Sequence, residues 1–407
     1  MPTNTIPAVS SLLTDADASS FLIPSRIVAD VVQTRRRDWL WKNVESTLKT
    51  HYHEPDLAAA LAFYSCIAAH GLDGQPVWPM LVGPPGSMKT ELLSGLHDEP
   101  HAHFIDQITP QTFISGYIRQ NKSDDDRPSG LLHRIGKSGI VVYPDFSTVL
   151  AMKPDARASI LADMRRIYDG ELRKEFGTAD SLKQRSWTGR ITFAVGATPD
   201  VDRCYSVFQT LGERFVMIRW PRAGGIDAAL AAMDQDSTTA RSDLKSAVTA
   251  LLASFQGRNP TMSRVFKRRL AALSELTVRA RTAVPRDGYS KDIIYVPEPE
   301  SSTRLAQQLC QATLGAALVL GDDEVGEQHI NVARRIAFDC IPAGRRKILD
   351  HLIGGRPLKQ LDMPAPTRSY YTADLQLQGV LEDDALSPLA IDMLTEANVL
   401  LGPAMVH

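Results

Sequence analysis

Met80-Leu81-Val82-Gly83-Pro84-Pro85-Gly86-Ser87-Met88-Lys89-Thr90 reads as an apolar strand entering a glycine-rich turn, after which Glu91-Leu92-Leu93 continues a helix opened at Lys89. The spacing fits G-x-x-x-x-G-K-[ST], a loop tight enough to turn several backbone N–H groups toward one anion. The positive end of the helix dipole reinforces that field. In this reading Gly83, Pro84, Pro85, Gly86, Ser87, Met88, Lys89 and Thr90 form the cradle. Lys89 reaches the β- and γ-phosphates of ATP, and the Thr90 hydroxyl enters the shell of Mg²⁺. Met88 stands where the pattern has its last glycine, so the reading requires helical φ there. The alternative is a proline- and glycine-rich surface turn that contains a lysine.

The chain of 407 residues is long enough for two or three domains, and 43% hydrophobic with 23% charged residues is an ordinary globular composition. A net charge of −2 argues against a uniformly basic coat for nucleic acid, so DNA contact must come from local patches. Cys66, Cys204, Cys310 and Cys340 are scattered, which indicates neither a disulfide framework nor a zinc site. No signal peptide or membrane-length apolar run is present, and the expectation is a soluble, cytoplasmic protein without membrane contact.

Along the chain, residues 1–55 read as a loose arm, ending in Arg35-Arg36-Arg37, and a helix through Trp39, Trp41 and Val44. A helix from Leu57, capped by Asp56, leads to the strand before the loop. Further short apolar strands are expected at Ala102 to Ile105, Ile140 to Tyr143, Ile191 to Val195 and Phe215 to Trp220. Such strands with helices between them predict an α/β fold with a mostly parallel sheet covered on both faces, over residues 56–225. Residues 226–340 carry helical periodicity alone. Residues 341–407 have the proportions of a winged helix-turn-helix, with a recognition helix near Thr367.

In an open parallel sheet the ligand lies beyond the carboxyl ends of the strands. Asp145, after Ile140-Val141-Val142-Tyr143-Pro144, is there the carboxylate expected to hold Mg²⁺ across from Thr90. Its alternative is a turn aspartate. Thr198 is placed to bond the γ-phosphate or attacking water. Phe146 occupies the position where a water-polarising glutamate usually stands, leaving Asp106 or Asp169 as candidate bases. Arg214 precedes the last strand, either as a transition-state cation for a neighbouring subunit or as a surface ion-pair partner.

The order GPPGSMKT, IVVYPDF, ITFAVGATPD and LGERF, followed by Ser301-Ser302-Thr303-Arg304-Leu305, resembles the AAA+ ATPases of phages and mobile elements of the helicase or replication type. More distantly it resembles minichromosome maintenance helicases. The resemblance covers about residues 56–380. It implies a P-loop NTPase core of three layers, a helical lid and a C-terminal winged helix. It further implies that Lys89, Thr90 and Asp145 hold MgATP, Thr198 is sensor 1, Arg214 acts in trans and Arg304 reaches the γ-phosphate. A homo-oligomeric ring, with a hexamer as one form, and DNA as partner follow from the same likeness.

Two functions remain open: a DNA-acting ATPase motor, and a nucleotide-gated DNA- or protein-binding regulator that hydrolyses ATP slowly or not at all. Arg264, Lys267, Arg268 and Arg269 form a basic helix cluster that reads either as a DNA-facing stripe or as a solvated face. The pairs His51/His53 and His101/His103 read as incidental.

Overall fold

The computed structural model describes residues 39–115, 130–178, 181–202, 213–221, 224–255 and 257–400. The N-terminal arm with Arg35, Arg36 and Arg37, Leu211 and Gly212 of the LGERF stretch, and Cys204 lie outside the described residues.

Seven strands follow in order: β1 (Trp78–Val82), β2 (Ala102–Phe104), β3 (Ser138–Tyr143), β4 (Glu171–Thr178), β5 (Ser181–Thr188), β6 (Arg190–Ala197) and β7 (Phe215–Arg219). Five of them make one parallel sheet ordered β2-β3-β6-β1-β7, while β4 and β5 form a separate antiparallel hairpin. Every residue of β1 is buried, as a strand covered on both faces must be. Its register places Trp78 beside Phe215, and Met80 between Met217 and Val195. The helix Leu57–Ala68 starts where Asp56 accepts the Ala59 N–H at 2.9 Å, and the helix Pro154–Tyr168 carries the chain from the end of β3 to the hairpin.

The helices after β7 do not stand apart from the sheet. Thr303–Leu320 lies along Leu57–Ala68 so closely that a Cβ on Gly315 would collide with the Ser65 carbonyl, and Glu327–Asp339 packs on β7. Their apolar faces join the sheet in one continuous buried cluster. At the C-terminal end, helices Ala343–Ile353 and Ala365–Leu377 flank a 3₁₀ turn, Leu358–Gln360. A two-stranded ribbon, β8 (Leu381–Glu382) with β9 (Ala385–Leu386), and the helix Pro388–Glu396 complete it. Buried Asp374 fastens this part to the rest. It takes Arg345 at 2.8 Å and Arg286 at 2.7 Å, while Arg345 also donates to the Ala280 and Thr282 carbonyls. Among the described residues no helix is long and apolar enough to cross a membrane.

Candidate phosphate-binding site

The loop 83–90 leaves the carboxyl end of β1, in the middle of the sheet. Gly83 donates to the Ala197 carbonyl at 3.1 Å, which ties the loop's entry to the end of β6. A Cβ at this position would meet Ser87 Oγ at 2.6 Å and the Trp220 carbonyl at 2.9 Å, so only glycine fits. Gly86 has φ +74° and Met88 φ +61°. The helical φ expected at Met88 is therefore wrong: this residue takes the left-handed conformation that the missing glycine would take freely. The helix that follows, Lys89–Ser94, is short, so the anion-binding capacity rests mainly on the loop amides and Lys89.

Lys89 folds back over its own loop. Its ammonium donates to the Gly83 carbonyl at 2.6 Å, the Pro84 carbonyl at 2.7 Å and Ser87 Oγ at 3.2 Å. Burial holds its pKa below the usual lysine range, and the Asp145 carboxylate pulls the other way. A partly desolvated cation of this kind gains from an entering phosphate.

Asp145 and Thr198 meet through Ser147. Its N–H donates to Asp145 Oδ1 at 3.1 Å, while Ser147 Oγ accepts the Thr198 N–H at 3.0 Å and lies 3.3 Å from Thr198 Oγ1. Gly196 permits this convergence, because a Cβ there would strike the Pro144 carbonyl. Asp145 and Thr90 are both exposed and supply the oxygen ligands suited to Mg²⁺. Among the described residues no cluster of three or more His, Cys, Asp or Glu could hold a metal by itself.

Phe146 is fully buried, with its ring 5.2 Å from that of Phe215, so this position serves the core and faces no ligand. Asp106 lies just past β2 at the same end of the sheet, exposed. Asp169 is at the opposite end, beside Arg214 at 3.4 Å, which removes it as a base for this loop.

Arg214 and Arg304 are also at the opposite end. Arg214 precedes Phe215, the partner of Trp78, whereas the loop follows Val82. At about 3.3 Å per residue, the length of β1 separates them, on the order of 15 Å. Arg214 is 9% exposed, reaches Asp169 and lies over the Tyr168 ring at 5.6 Å. Arg304 is close enough to act electrostatically on both Arg214 and Tyr168, and pairs with Glu300 at 3.9 Å. Arg304, expected to reach the γ-phosphate from the lid, is not brought to the loop: its helix begins at the amino ends of the strands.

A cavity of about 300 Å³ adjoins the loop. His51, Tyr52 and His53 wall one side, and Ala228, Ala231, Ala232 and Gln235 the other. Glu91 braces it, held by Arg241 through two bonds of 2.8 and 2.7 Å and by the Tyr52 hydroxyl at 3.5 Å. The sequence reading set His51 and His53 aside as an incidental pair. Their proximity to the loop depends on the return of helix 39–51 to the sheet, for which the sequence carries no local signal.

The basic cluster is half spent: Arg268 pairs with Glu396 at 2.7 Å and Arg269 with Glu327, while Arg264 and Lys267 are exposed. On helix Ala365–Leu377, Thr367, Ser369 and Tyr370 are exposed, and Arg286 covers the Tyr370 ring at 4.3 Å. A scan against models of known protein families finds no match to this chain, and a search of curated proteins finds none.

Proposed function

We propose that the chain binds MgATP, with the triphosphate in the loop 83–90 and the nucleobase in the adjoining cavity between His51–His53 and the helix Ile226–Asp234. The observation that carries this is the half-buried Lys89 ammonium, held inside a loop of left-handed turns and near Asp145. In this reading Thr90 and Asp145 hold Mg²⁺, and Thr198, linked to Asp145 by Ser147, orients the γ-phosphate or water. The likeness to AAA+ ATPases extends the proposal to a DNA-acting ATPase of the helicase or replication type. Helices after β7 would then serve as the lid and residues 341–400 as a winged helix, its exposed Thr367, Ser369 and Tyr370 available to a groove. The position of Arg214, one strand length from its own loop, supports action on the nucleotide of a neighbouring copy in a ring, once freed from Asp169.

Phe146 favours a second reading. With that side chain committed to the core, no acid follows Asp145, and a slow or inactive, nucleotide-gated regulator fits this better than a fast motor.

Calorimetry with MgATP tests the binding site. Lys89→Ala should weaken affinity by about a hundredfold, the loss expected for a charge-assisted phosphate contact. Asp145→Asn should lower affinity about tenfold with Mg²⁺ and leave it unchanged in EDTA. Unchanged affinity in both folded variants would refute the assignment. ATP turnover with and without duplex DNA then separates motor from regulator, since only the motor should accelerate.

A further inference from the structure

At the amino ends of β2 and β3, away from the phosphate loop, lies a second and larger cavity of about 800 Å³. That volume falls in the range of roughly 300–1,000 Å³ typical of small-molecule sites. Three segments distant in sequence build it: the end of helix Leu57–Ala68 with the turn Ala69–Gly71, residues 98–101 before β2, and residues 249–259 at the end of helix Ser237–Ala253.

Its body is apolar. Ile67, Leu72 and Ile140 are buried, and Leu252 and Phe255 are partly buried against the core. Its polar groups are unevenly committed. Arg258 directs its guanidinium to the Leu318 and Asp322 carbonyls and to Asp323, at 3.2, 2.9 and 2.8 Å. His70 spends both ring nitrogens, on Thr192 Oγ1 at 2.9 Å and Ser138 Oγ at 3.0 Å. Burial keeps that imidazole neutral. The carboxylates are Asp73, which stands within electrostatic reach of the Arg190 guanidinium bonded to the Ala69 and Gly74 carbonyls, Asp98 and Glu99. Lys245 meets Asp98 at 3.1 Å, and His101 meets only Oε1 of Glu99.

A cavity whose guanidinium and imidazole are spent on the protein, and whose remaining charges are carboxylates, repels anions and attracts cations. The geometry points to a second binding site, for a small molecule with an apolar or aromatic body and a protonated amine. The body fills the space between Leu72, Ile140 and Phe255, and the ammonium lies toward Glu99. A nucleotide or nucleic acid carries the wrong charge for it.

The test uses the full chain and three probes of one size: benzylamine, benzyl alcohol and benzoate. Ligand-observed NMR should show saturable benzylamine binding in the millimolar range, at least tenfold tighter than benzoate, with benzyl alcohol between them. Ala253→Trp, at an exposed rim position that leaves folding intact, should weaken benzylamine at least tenfold, and Glu99→Gln should narrow its advantage over benzyl alcohol. Saturating MgATP should displace none of it. Absence of saturable binding to the folded chain, equal binding of benzoate, undiminished binding in Ala253→Trp, or displacement by MgATP would each overturn the proposal.

Discussion

The two ends of the interior strand β1 carry opposite kinds of charge chemistry. At its carboxyl end the loop keeps its functional groups reachable: Asp145 and Thr90 are exposed, and Lys89 bonds only neutral oxygens. At its amino end the charges neutralise one another behind an aromatic wall. Trp78 packs on Tyr168, Phe193 and Phe215, with centroids 5.1, 4.7 and 5.3 Å away. Around that wall Arg281 pairs with Glu213 and Glu300, and Arg214 pairs with Asp169. A cation that bonds carbonyls can be recruited by a phosphate at small cost. One already desolvated against two carboxylates is committed to the fold, so arginines of equal formal charge need not be equally available for chemistry.

The sharpest way to break this comparison is Arg281→Met. Arg281 is 2% exposed, and removing it leaves Glu213, itself 7% exposed, without that partner. A buried pair broken from one side typically loses about 3–5 kcal/mol. Urea unfolding should show that loss, while the fraction that remains folded should bind MgATP with wild-type affinity. If Arg281→Met is instead as stable as the parent, the amino-end cluster is not a structural clamp, and Arg214 would be freer to act elsewhere.

This contrast also marks how far the sequence could be read. The five strands of the parallel sheet were legible because each holds a short apolar run, buried in β1, β3, β6 and β7 and partly buried in β2, and Asp56 was legible as a cap. The hairpin β4–β5 was not. Its sequence is mainly charged and polar, with Leu172 and Trp187 buried among the described side chains, so no alternation stands out. Lys89, Asp145 and Thr198 could be placed at one end of the sheet because their positions follow from strand ends. The place of Arg304 at the amino ends of the strands was not legible, because helical periodicity gives a face but not the end of the sheet at which a helix begins. His51, Glu91 and Arg241 come from three elements whose meeting is purely tertiary.

A pH titration sharpens the amino-end side of the comparison. Burial, with Arg190 and His101 nearby, pushes His70 down to about 4 from an ordinary 6.5. The folded state therefore resists a proton that the unfolded state accepts. The stabilisation is fully present above about 6.5 and is lost as pH falls toward 4. At about 1.4 kcal/mol per unit over the shift from 6.5 to about 4, its upper limit is about 3.5 kcal/mol. His70→Gln, which keeps hydrogen-bonding capacity toward Thr192 and Ser138, should flatten the fall in stability between pH 6.5 and 4. An unchanged slope would assign the acid sensitivity to other groups.

The smallest expected effect belongs to the carboxyl end, at Met88. A non-glycine residue held at φ +61° carries about 1–2 kcal/mol of conformational strain. Met88→Gly removes that strain, but it also loosens the unfolded chain by about 0.5–1 kcal/mol and deletes a side chain that packs partly against the core. These terms oppose each other, so the unfolding free energy should change by less than about 1 kcal/mol in either direction. The loop conformation itself is the one glycine prefers, so MgATP affinity should be retained or modestly increased. A large loss of affinity in the glycine variant, with stability unchanged, would mean that the Met88 side chain, not its backbone geometry, shapes the phosphate cradle. A large gain in stability would show that the strain at Met88 exceeds its packing, as a residue retained for the ligand rather than for the fold would require.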